Sequence, residues 1–259
     1  VVILNTCAVR EHAEQRVYGN LGALTHTKKA NPRQIICLCG CMAQQKQVAD
    51  KVRASYRHVD LVFGPHALWR FPELLQKVYH QHGRVFSIDD SHGSIAEGLP
   101  IVREGGAKAW VSVMYGCNNF CTYCIIPYAR GPVRSLPLAQ AVEQARALEG
   151  YREVVLTGIE VASWGRDLKD GSTFADLVES VCRAVPQLRV RLGSLEPRVV
   201  DEDFCRRLAA CPNFCPQFHL SLQSGCTATL RRMRRVYTAE QYAQVVDQLR
   251  AAYGERPVS

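Results

Sequence analysis

The sequence predicts an α/β fold of two domains, and three observations support this prediction. Short apolar runs alternate with longer amphipathic ones along the 259 residues, which is typical of parallel sheets covered by helices. A stretch at 89–108 carries Ser, Gly, Glu and Lys, as linkers do. The strand–helix repeats after it indicate a barrel or part of one. We therefore predict a parallel-sheet domain at 1–88, a linker at 89–108 and an incomplete barrel at 109–259.

The predicted strands of the first domain are short and apolar. They lie at 1–5, 34–39, 59–63 and 84–88. The predicted helices lie at 11–29, 43–54 and 72–80, and Pro72 suits a first helical position. Strands and helices that alternate at this spacing indicate a parallel sheet with helices on its faces.

The second domain repeats the same alternation. Its predicted strands lie at 110–114, 153–157, 189–192 and 217–222, and its predicted helices at 137–149, 174–183, 202–209 and 238–252. Thr238 and Gln241 form a capping box, which marks the start of the last helix. Because a fifth strand is expected only from 257–259 onward, we predict a barrel that is truncated at its end.

Composition and charge limit the classes of protein. The chain has 32 Lys and Arg against 24 Asp and Glu, a net charge of +8, which favours an acidic partner such as nucleic acid. It has no apolar run near 18 residues, so no membrane span is expected. It opens inside an apolar run without a start methionine, so we interpret it as a fragment. Twelve cysteines without a secretion signal indicate a reducing, cytoplasmic location and metal chemistry for some of them.

Three cysteines follow the predicted strand at 110–114 in one short loop. Cys117, Cys121 and Cys124 have the spacing C-x3-C-x2-C. Three thiolates can hold three irons of a [4Fe–4S] cluster and leave the fourth iron open to a ligand. A zinc site is the alternative, although structural zinc usually has four ligands. The spacing favours the iron–sulfur site.

Two further cysteines each follow a predicted strand of the first domain. Cys7 follows the first strand and Cys41 the second. The carboxyl ends of adjacent parallel strands lie side by side, so these two could converge on one metal. The alternative is that both are small buried residues. Cys37 and Cys39 are interpreted as strand residues.

Polar residues follow three predicted strands of the barrel, where such folds build their active sites. The candidates are Thr157, Gly158, Ser194, Glu196, Gln223 and Ser224. Each of them alone could equally be a loop cap. The run Leu230 to Arg235 contains four arginines, and it is either a solvated helix face or a contact for RNA phosphates.

The motifs resemble those of a known family. The cysteine loop, with aromatic Tyr123 before its last cysteine, resembles the signature of radical S-adenosylmethionine (SAM) enzymes. The sequences Asn-Thr-Cys-Ala-Val-Arg at 5–10 and Gly-Cys-Met-Ala-Gln at 40–44 are similar to the amino-terminal motifs of the methylthiotransferases within that family. This resemblance covers nearly the whole chain. It implies a partial (β/α)6 barrel and a second [4Fe–4S] cluster, with Cys7 and Cys41 as two of its three ligands and the first ligand upstream.

The resemblance also implies an activity and its partners. These enzymes methylthiolate an N6-modified adenosine at position 37, in the anticodon loop of tRNA. They use SAM, two [4Fe–4S] clusters and an electron donor such as flavodoxin or ferredoxin, with no membrane partner. By the same resemblance, Glu196, Gln223 and Ser224 would hydrogen-bond SAM. Residues up to about 124 are similar to the isopentenyladenosine enzymes, and those from Ile125 on to the threonylcarbamoyladenosine enzymes.

The barrel holds the base, so the threonylcarbamoyl substrate is slightly favoured, with Arg198 as the cation for its carboxylate. The alternative is that Arg198 pairs with a carboxylate of the protein itself. Three alternatives stay open at the level of the sequence. The chain could methylthiolate an aspartate of a ribosomal protein, carry electrons through its clusters, or bind RNA as a zinc module.

Overall fold

A computed structural model describes residues 1–8, 11–81, 83–88, 101–103 and 105–259, in two compact units. The first unit comprises Val1–Pro100 with Cys124–Gly131, and the second comprises Ile101–Tyr123 with Pro132–Ser259. Most of the predicted linker at 89–108 lies outside the described residues, so the predicted domain boundaries stay a prediction. No helix within the described ranges is both long and apolar enough to cross a bilayer.

The first unit is built on a parallel sheet, as predicted. Its strands are β1 (Val2–Thr6), β2 (Ile36–Gly40), β3 (Leu61–Phe63) and β4 (Val85–Ser87). They lie side by side in chain order, and each neighbouring pair is parallel. All the residues of β2 are buried, which is typical of an inner strand covered on both faces.

Helices pack on both faces of this sheet. They are α1 (Glu11–Ala30), α2 (Lys46–Ser55) and α3 (Phe71–Gln81), and a 3-10 helix at Pro65–Arg70 precedes α3. Successive side chains of a strand point to opposite faces, so Ile36 and Leu38 pack with α1 and α2. Cys37 and Cys39 pack on the other face, with α3. The unit therefore has three layers, with the sheet in the middle.

The second unit also has a four-stranded sheet, in the order β6-β5-β7-β8. Its strands are β5 (Lys108–Tyr115), β6 (Arg134–Ser135), β7 (Glu153–Gly158) and β8 (Arg189–Leu192). The pairs β5–β7 and β7–β8 are parallel. The short β6 was not predicted, and it lies antiparallel to the end of β5.

Helices follow the strands of the second unit, and most of them share one apolar core with the strands. They are α5 (Leu138–Arg146), α6 (Phe174–Ala184), α7 (Glu202–Ala209), α8 (Thr227–Arg232) and α9 (Ala239–Tyr253), whereas α4 (Ile126–Arg130) groups with the first unit. The predicted capping box of Thr238 and Gln241 is present at the start of α9. A second box, of Thr173 and Asp176, caps α6.

The strand predicted at 217–222 is wrong. Within this stretch the structure has a single parallel bridge, between Leu195 and Leu220. Hydrogen bonds between residues two apart, from Leu222 N to Leu220 O and from Ser224 N to Leu222 O, turn the chain away from the segment after β8. Gln223 then adopts a left-handed φ of 61°. These turns end the pairing after one bridge, which the apolar pattern alone does not reveal.

Candidate active site

The cysteine loop begins directly after β5, at the carboxyl end of that parallel strand. Gly116, with φ of 72°, turns the chain out of the sheet, and the next residue, Cys117, is buried. The loop is held by polar contacts at its start. Asn119 N lies 3.5 Å from Cys117 Sγ, and Asn118 Oδ1 accepts a bond from Val133 N at 3.1 Å.

The middle of the loop is held by the end of α8. Thr122 donates from its N to Met233 O and from its Oγ1 to Arg232 O, each at 3.3 Å. The Nη1 of Arg235 lies 3.6 Å from Cys121 Sγ. The chain just beyond α8 therefore places a guanidinium beside the second cysteine of the motif, which sequence reasoning missed. The only sequence signal was the basic run that contains Arg235.

The three loop cysteines are divided between the two units. Cys117 and Cys121 belong to the second unit, and Cys124 groups with the first. Within the described ranges, no three His, Cys, Asp or Glu side chains are arranged to hold a metal ion. The ligand set Cys117, Cys121 and Cys124 therefore stays a prediction.

Cys7 and Cys41 follow neighbouring strand ends of the first unit. Thr6 and Gly40 are register partners in the pair β1–β2, so each cysteine is the first residue past a shared sheet edge. Cys7 is exposed and Cys41 is buried. Arg130 donates from its Nε to Cys41 Sγ at 2.9 Å. The expected placement at adjacent strand ends is present, and convergence on a metal stays a prediction.

The two other cysteines of this region lie inside β2, as predicted. Burial is the main cause that raises the pKa of the Cys37 thiol to about 12. Burial likewise raises the pKa of Cys39 to about 11. Thiolates are the form that binds metal, so these two thiols are poorly suited as ligands in this environment.

Thr157, Gly158, Ser194 and Glu196 lie at or just past strand ends of the second unit, whereas Gln223 and Ser224 follow the single bridge at Leu220. Thr157 and Gly158 end β7, and Ser194 follows β8, where its Oγ lies 2.6 Å from Nδ1 of His219. Gln223 is exposed, and Ser224 Oγ accepts a bond from Cys226 N at 3.2 Å.

Glu196 is the buried acid of this group, with 3% of its side chain exposed. Arg198 Nε lies 2.9 Å from both of its carboxylate oxygens. Arg198 Nη2 also lies 3.4 Å from Asn119 Oδ1 in the cysteine loop. The pair therefore connects the loop after β8 with the loop after β5.

A second acid, Glu160, lies past the end of β7. Burial is the main cause that raises the pKa of its carboxyl, and the charge of Glu196 raises it further. Ser163 Oγ donates to Glu160 Oε2, and Glu160 N donates to Met114 Sδ at 3.3 Å. Two acids thus lie near each other at this strand edge, and one of them is neutralised by Arg198.

Comparison with known protein families gives two matches. Residues 111–258 match the family described as Radical SAM superfamily, which covers more than half of the chain. The chain belongs to the radical SAM superfamily. Residues 1–64 match the family described as Uncharacterized protein family UPF0004. The family membership supports SAM and an iron–sulfur cluster as cofactors of this radical SAM chain.

Curated relatives match nearly the whole chain. A protein of Acetivibrio thermocellus is 43% identical over 252 residues, which are 96% of this chain and 52% of that relative. A protein of Alkaliphilus oremlandii is 44% identical, over 96% of this chain and 54% of its own length. Both are named tRNA-2-methylthio-N(6)-dimethylallyladenosine synthase. The predicted resemblance to radical SAM methylthiotransferases is confirmed, and the chain spans about half the length of these relatives.

Solved structures agree on the fold. The cobalamin-dependent SAM radical enzyme OxsB with aqua-cobalamin bound matches with a TM-score of 0.52 at 13% identity, over 90% of this chain and 41% of its own. The form of OxsB with SAM also bound matches with a TM-score of 0.50 at 14% identity, over 89% and 41%. At this identity the likeness shows the fold alone, and it confirms the predicted radical SAM architecture.

Proposed function

We propose that the full-length protein containing this chain is a tRNA methylthiotransferase. The observation that carries the proposal is the pair of cysteine sets, each placed directly after strands of a parallel sheet. A radical SAM enzyme without sulfur transfer needs only the set at Cys117, Cys121 and Cys124. The second set, Cys7 and Cys41, lies in the part of the chain that the dimethylallyladenosine synthases share.

The groups that surround the cysteine sulfurs support iron–sulfur clusters at both sets. Thiolates are the ligands of such clusters, and both sets have donors aimed at sulfur. Asn119 N points at Cys117, Arg235 at Cys121 and Arg130 at Cys41. Hydrogen bonds and cations beside sulfur stabilise the negative charge of thiolates. We assign one cluster to each set.

In the proposed mechanism the chain binds and orients its cofactors. The cluster supplies the electron that cleaves SAM when it is bound, and this chemistry belongs to the cofactors. Thr157, Gly158, Ser194, Glu196, Gln223 and Ser224 are proposed to contact SAM. Arg198 pairs with the buried Glu196 and fixes the orientation of its carboxylate, and the same guanidinium contacts Asn119 in the loop of Cys117. The electron donor, the cytoplasmic location and the tRNA partner stay predictions.

We propose dimethylallyladenosine as the base that is modified. The preference for threonylcarbamoyladenosine came from the similarity of the barrel, from Ile125 on, to the enzymes for that substrate, with Arg198 as the expected cation for its carboxylate, and it is not confirmed. Arg198 already contacts both oxygens of Glu196 at 2.9 Å, so its charge is neutralised within the protein. A dimethylallyl group is uncharged and needs no such cation. The names of the relatives, which match 96% of the chain, favour the same substrate.

Nucleoside analysis of tRNA tests this function. Cells that lack the full-length gene should lose 2-methylthio-N6-dimethylallyladenosine and accumulate the precursor without sulfur, as measured by mass spectrometry. The full-length gene should restore the product. The triple variant Cys117→Ala, Cys121→Ala and Cys124→Ala should not, whereas Cys226→Ala should, because Cys226 is an exposed cysteine outside both sets.

The outcome also separates the alternatives. Loss of the methylthio group from threonylcarbamoyladenosine would reverse the substrate assignment. Unchanged tRNA together with a ribosomal-protein aspartate that lacks its methylthio group would overturn tRNA as the substrate.

A further inference from the structure

Arg235 is directed toward the cysteine loop by the way α8 ends. Arg234 adopts a left-handed φ of 55°, which non-glycine residues rarely adopt. Arg235 N then donates back to Leu230 O at 2.8 Å, which closes the helix end. This reversal separates Arg235 from the rest of the basic run, since Arg231, Arg232 and Arg234 are exposed and Arg235 is half-buried.

The charged guanidinium of Arg235 lies near a cysteine sulfur and an aromatic ring. Its Nη1 lies 3.6 Å from Cys121 Sγ, and its guanidinium carbon lies 5.7 Å from the centre of the Tyr237 ring. Tyr237 is itself held by its hydroxyl, which donates to Leu222 O at 3.1 Å. The buried Nε of Arg235 has no hydrogen-bond partner within the described residues. A buried donor without a protein partner requires an explanation, such as a bound ion or group.

We propose that Arg235 is a positioning residue for the iron–sulfur cluster, which acts through Cys121 and raises the reduction potential of that cluster. The contacts of Thr122 with Met233 and Arg232 fix the same part of the loop. The helix end therefore sets both the place of the Cys121 sulfur and the charge beside it. This inference rests on membership of the radical SAM superfamily and is independent of the proposed tRNA substrate.

The direction of the effect follows from electrostatics. Reduction adds one negative charge to the cluster, and a cation near a ligand sulfur stabilises the reduced state more than the oxidised state. The charge of arginine persists at every pH used for such proteins. Removal of this charge therefore makes reduction less favourable and lowers the potential. An exposed arginine nearby has a smaller effect, because solvent and salt screen it.

A one-electron redox titration with dithionite, followed by electron paramagnetic resonance, tests the proposal. It uses the full-length protein, reconstituted without oxygen, in a Cys7→Ala and Cys41→Ala background so that the signal of one cluster is read. In Arg235→Gln the ratio of reduced to oxidised cluster at a fixed potential should fall about tenfold, which is about 59 mV for a one-electron couple. Arg235→Lys should recover much of this loss, because lysine keeps the positive charge.

Arg231→Gln is the matched control, because it removes the same charge from an exposed position on α8. It should change the ratio by less than about twofold, as expected for a screened charge. The proposal is overturned if Arg235→Gln titrates like the unsubstituted protein, or if Arg231→Gln shifts the ratio equally. Thermal melting of the cluster-free protein detects variants that fail to fold. If Arg235→Gln does not fold, Arg235→Met is titrated in its place. The proposal is then overturned if Arg235→Met titrates like the unsubstituted protein.

Discussion

A single glycine, Gly40, determines the backbone at the edge of the first sheet, directly before Cys41. Gly40 has φ of 97°, and a Cβ at this position would lie 2.2 Å from the carbonyl oxygen of Thr6. Thr6 is the register partner of Gly40 across β1 and β2. A side chain at residue 40 would therefore push apart β1 and β2, the two strands that Cys7 and Cys41 directly follow.

We expect Gly40→Ala to lower the free energy of unfolding by about 2–4 kcal/mol, from the left-handed backbone and the steric overlap together. Urea unfolding followed by circular dichroism measures this change. Gly22→Ala is the control, because a Cβ at Gly22 meets nothing within 4 Å. In the middle of α1 it should stabilise by about 0.5–1 kcal/mol. Equal effects of the two substitutions would contradict the steric argument.

At the scale of single residues, predictions from the sequence were correct where the location of a residue depends on its position relative to a strand. Cys7, Cys41 and Cys117 follow strand ends, and strand ends could be located from apolar runs. A pairing of Arg198 with some protein carboxylate was one of two open interpretations, but Glu196 could not be predicted as the partner, because this pairing depends on the 3-10 turn at Pro197–Val199. The contact of Arg235 with Cys121 joins residues 114 positions apart, and no pattern in the sequence links them.

At the scale of elements, Arg207 on α7 joins that helix to α6. Its Nη2 lies 2.6 Å from Asp176 Oδ1 and 2.7 Å from Glu179 Oε2. The bonds from Arg207 hold the pKa of Glu179 below its usual range. For Asp176 burial acts in the opposite direction, but the bonds from Arg207 and Thr173 outweigh it and lower the pKa. The two helices are thus connected through one guanidinium.

Arg207→Gln should destabilise the protein by about 1–2 kcal/mol at pH 7, since the acids are partly exposed and screened. A carboxyl with a lowered folded pKa stabilises above its unfolded pKa of about 4, and this contribution disappears as the pH falls through the folded pKa. The difference between Arg207→Gln and the unsubstituted protein should therefore shrink below about pH 4.

Urea unfolding at several pH values measures this difference. Arg206→Gln is the matched control, because Arg206 on the same helix pairs with Asp203, and both of these side chains are exposed. It should have little effect at any pH. A loss in Arg207→Gln that does not change with pH would show that packing, not charge, is responsible.

The bounds of the helices and strands show which structural features can be predicted from the sequence. The strand at 189–192 and the helix at 202–209 were predicted with their observed bounds. In both elements the spacing of the apolar residues and the residues at the ends indicate the same bounds. The strand at 217–222 failed, since its apolar pattern competes with the turns at Leu222 and Ser224. The short β6 was missed because two residues are too few for a periodic pattern.

At the scale of the whole molecule, the net charge is +8, and part of the positive charge lies in an exposed basic run. Arg231, Arg232 and Arg234 are exposed at the end of α8, next to the loop of Cys121. If tRNA is the substrate, these side chains are placed to meet its phosphates near the cluster. Such interactions release counterions and make binding depend on salt.

Replacement of all three by Gln should weaken tRNA binding and reduce the slope of log affinity against log salt by roughly 2–3, about one for each phosphate that the variant no longer neutralises. Filter binding across a salt series measures both quantities. The control replaces Arg146, Arg183 and Arg206 by Gln, which removes the same charge from exposed positions on α5, α6 and α7. Equal slopes for the two triple variants would mean that net charge alone attracts the RNA.

The grouping of Cys124–Gly131 with the first unit makes that unit discontinuous along the chain. A ribosome releases residues in order, at about 5–20 per second. Arg130 follows its partner Cys41 by 89 residues, so the arginine is made roughly 4–18 s after the cysteine at that speed. During those seconds the nascent sheet edge holds Cys41 without its cation. The contact between Arg130 and Cys41 is therefore completed late, after Cys117, Cys121 and Cys124 have been translated.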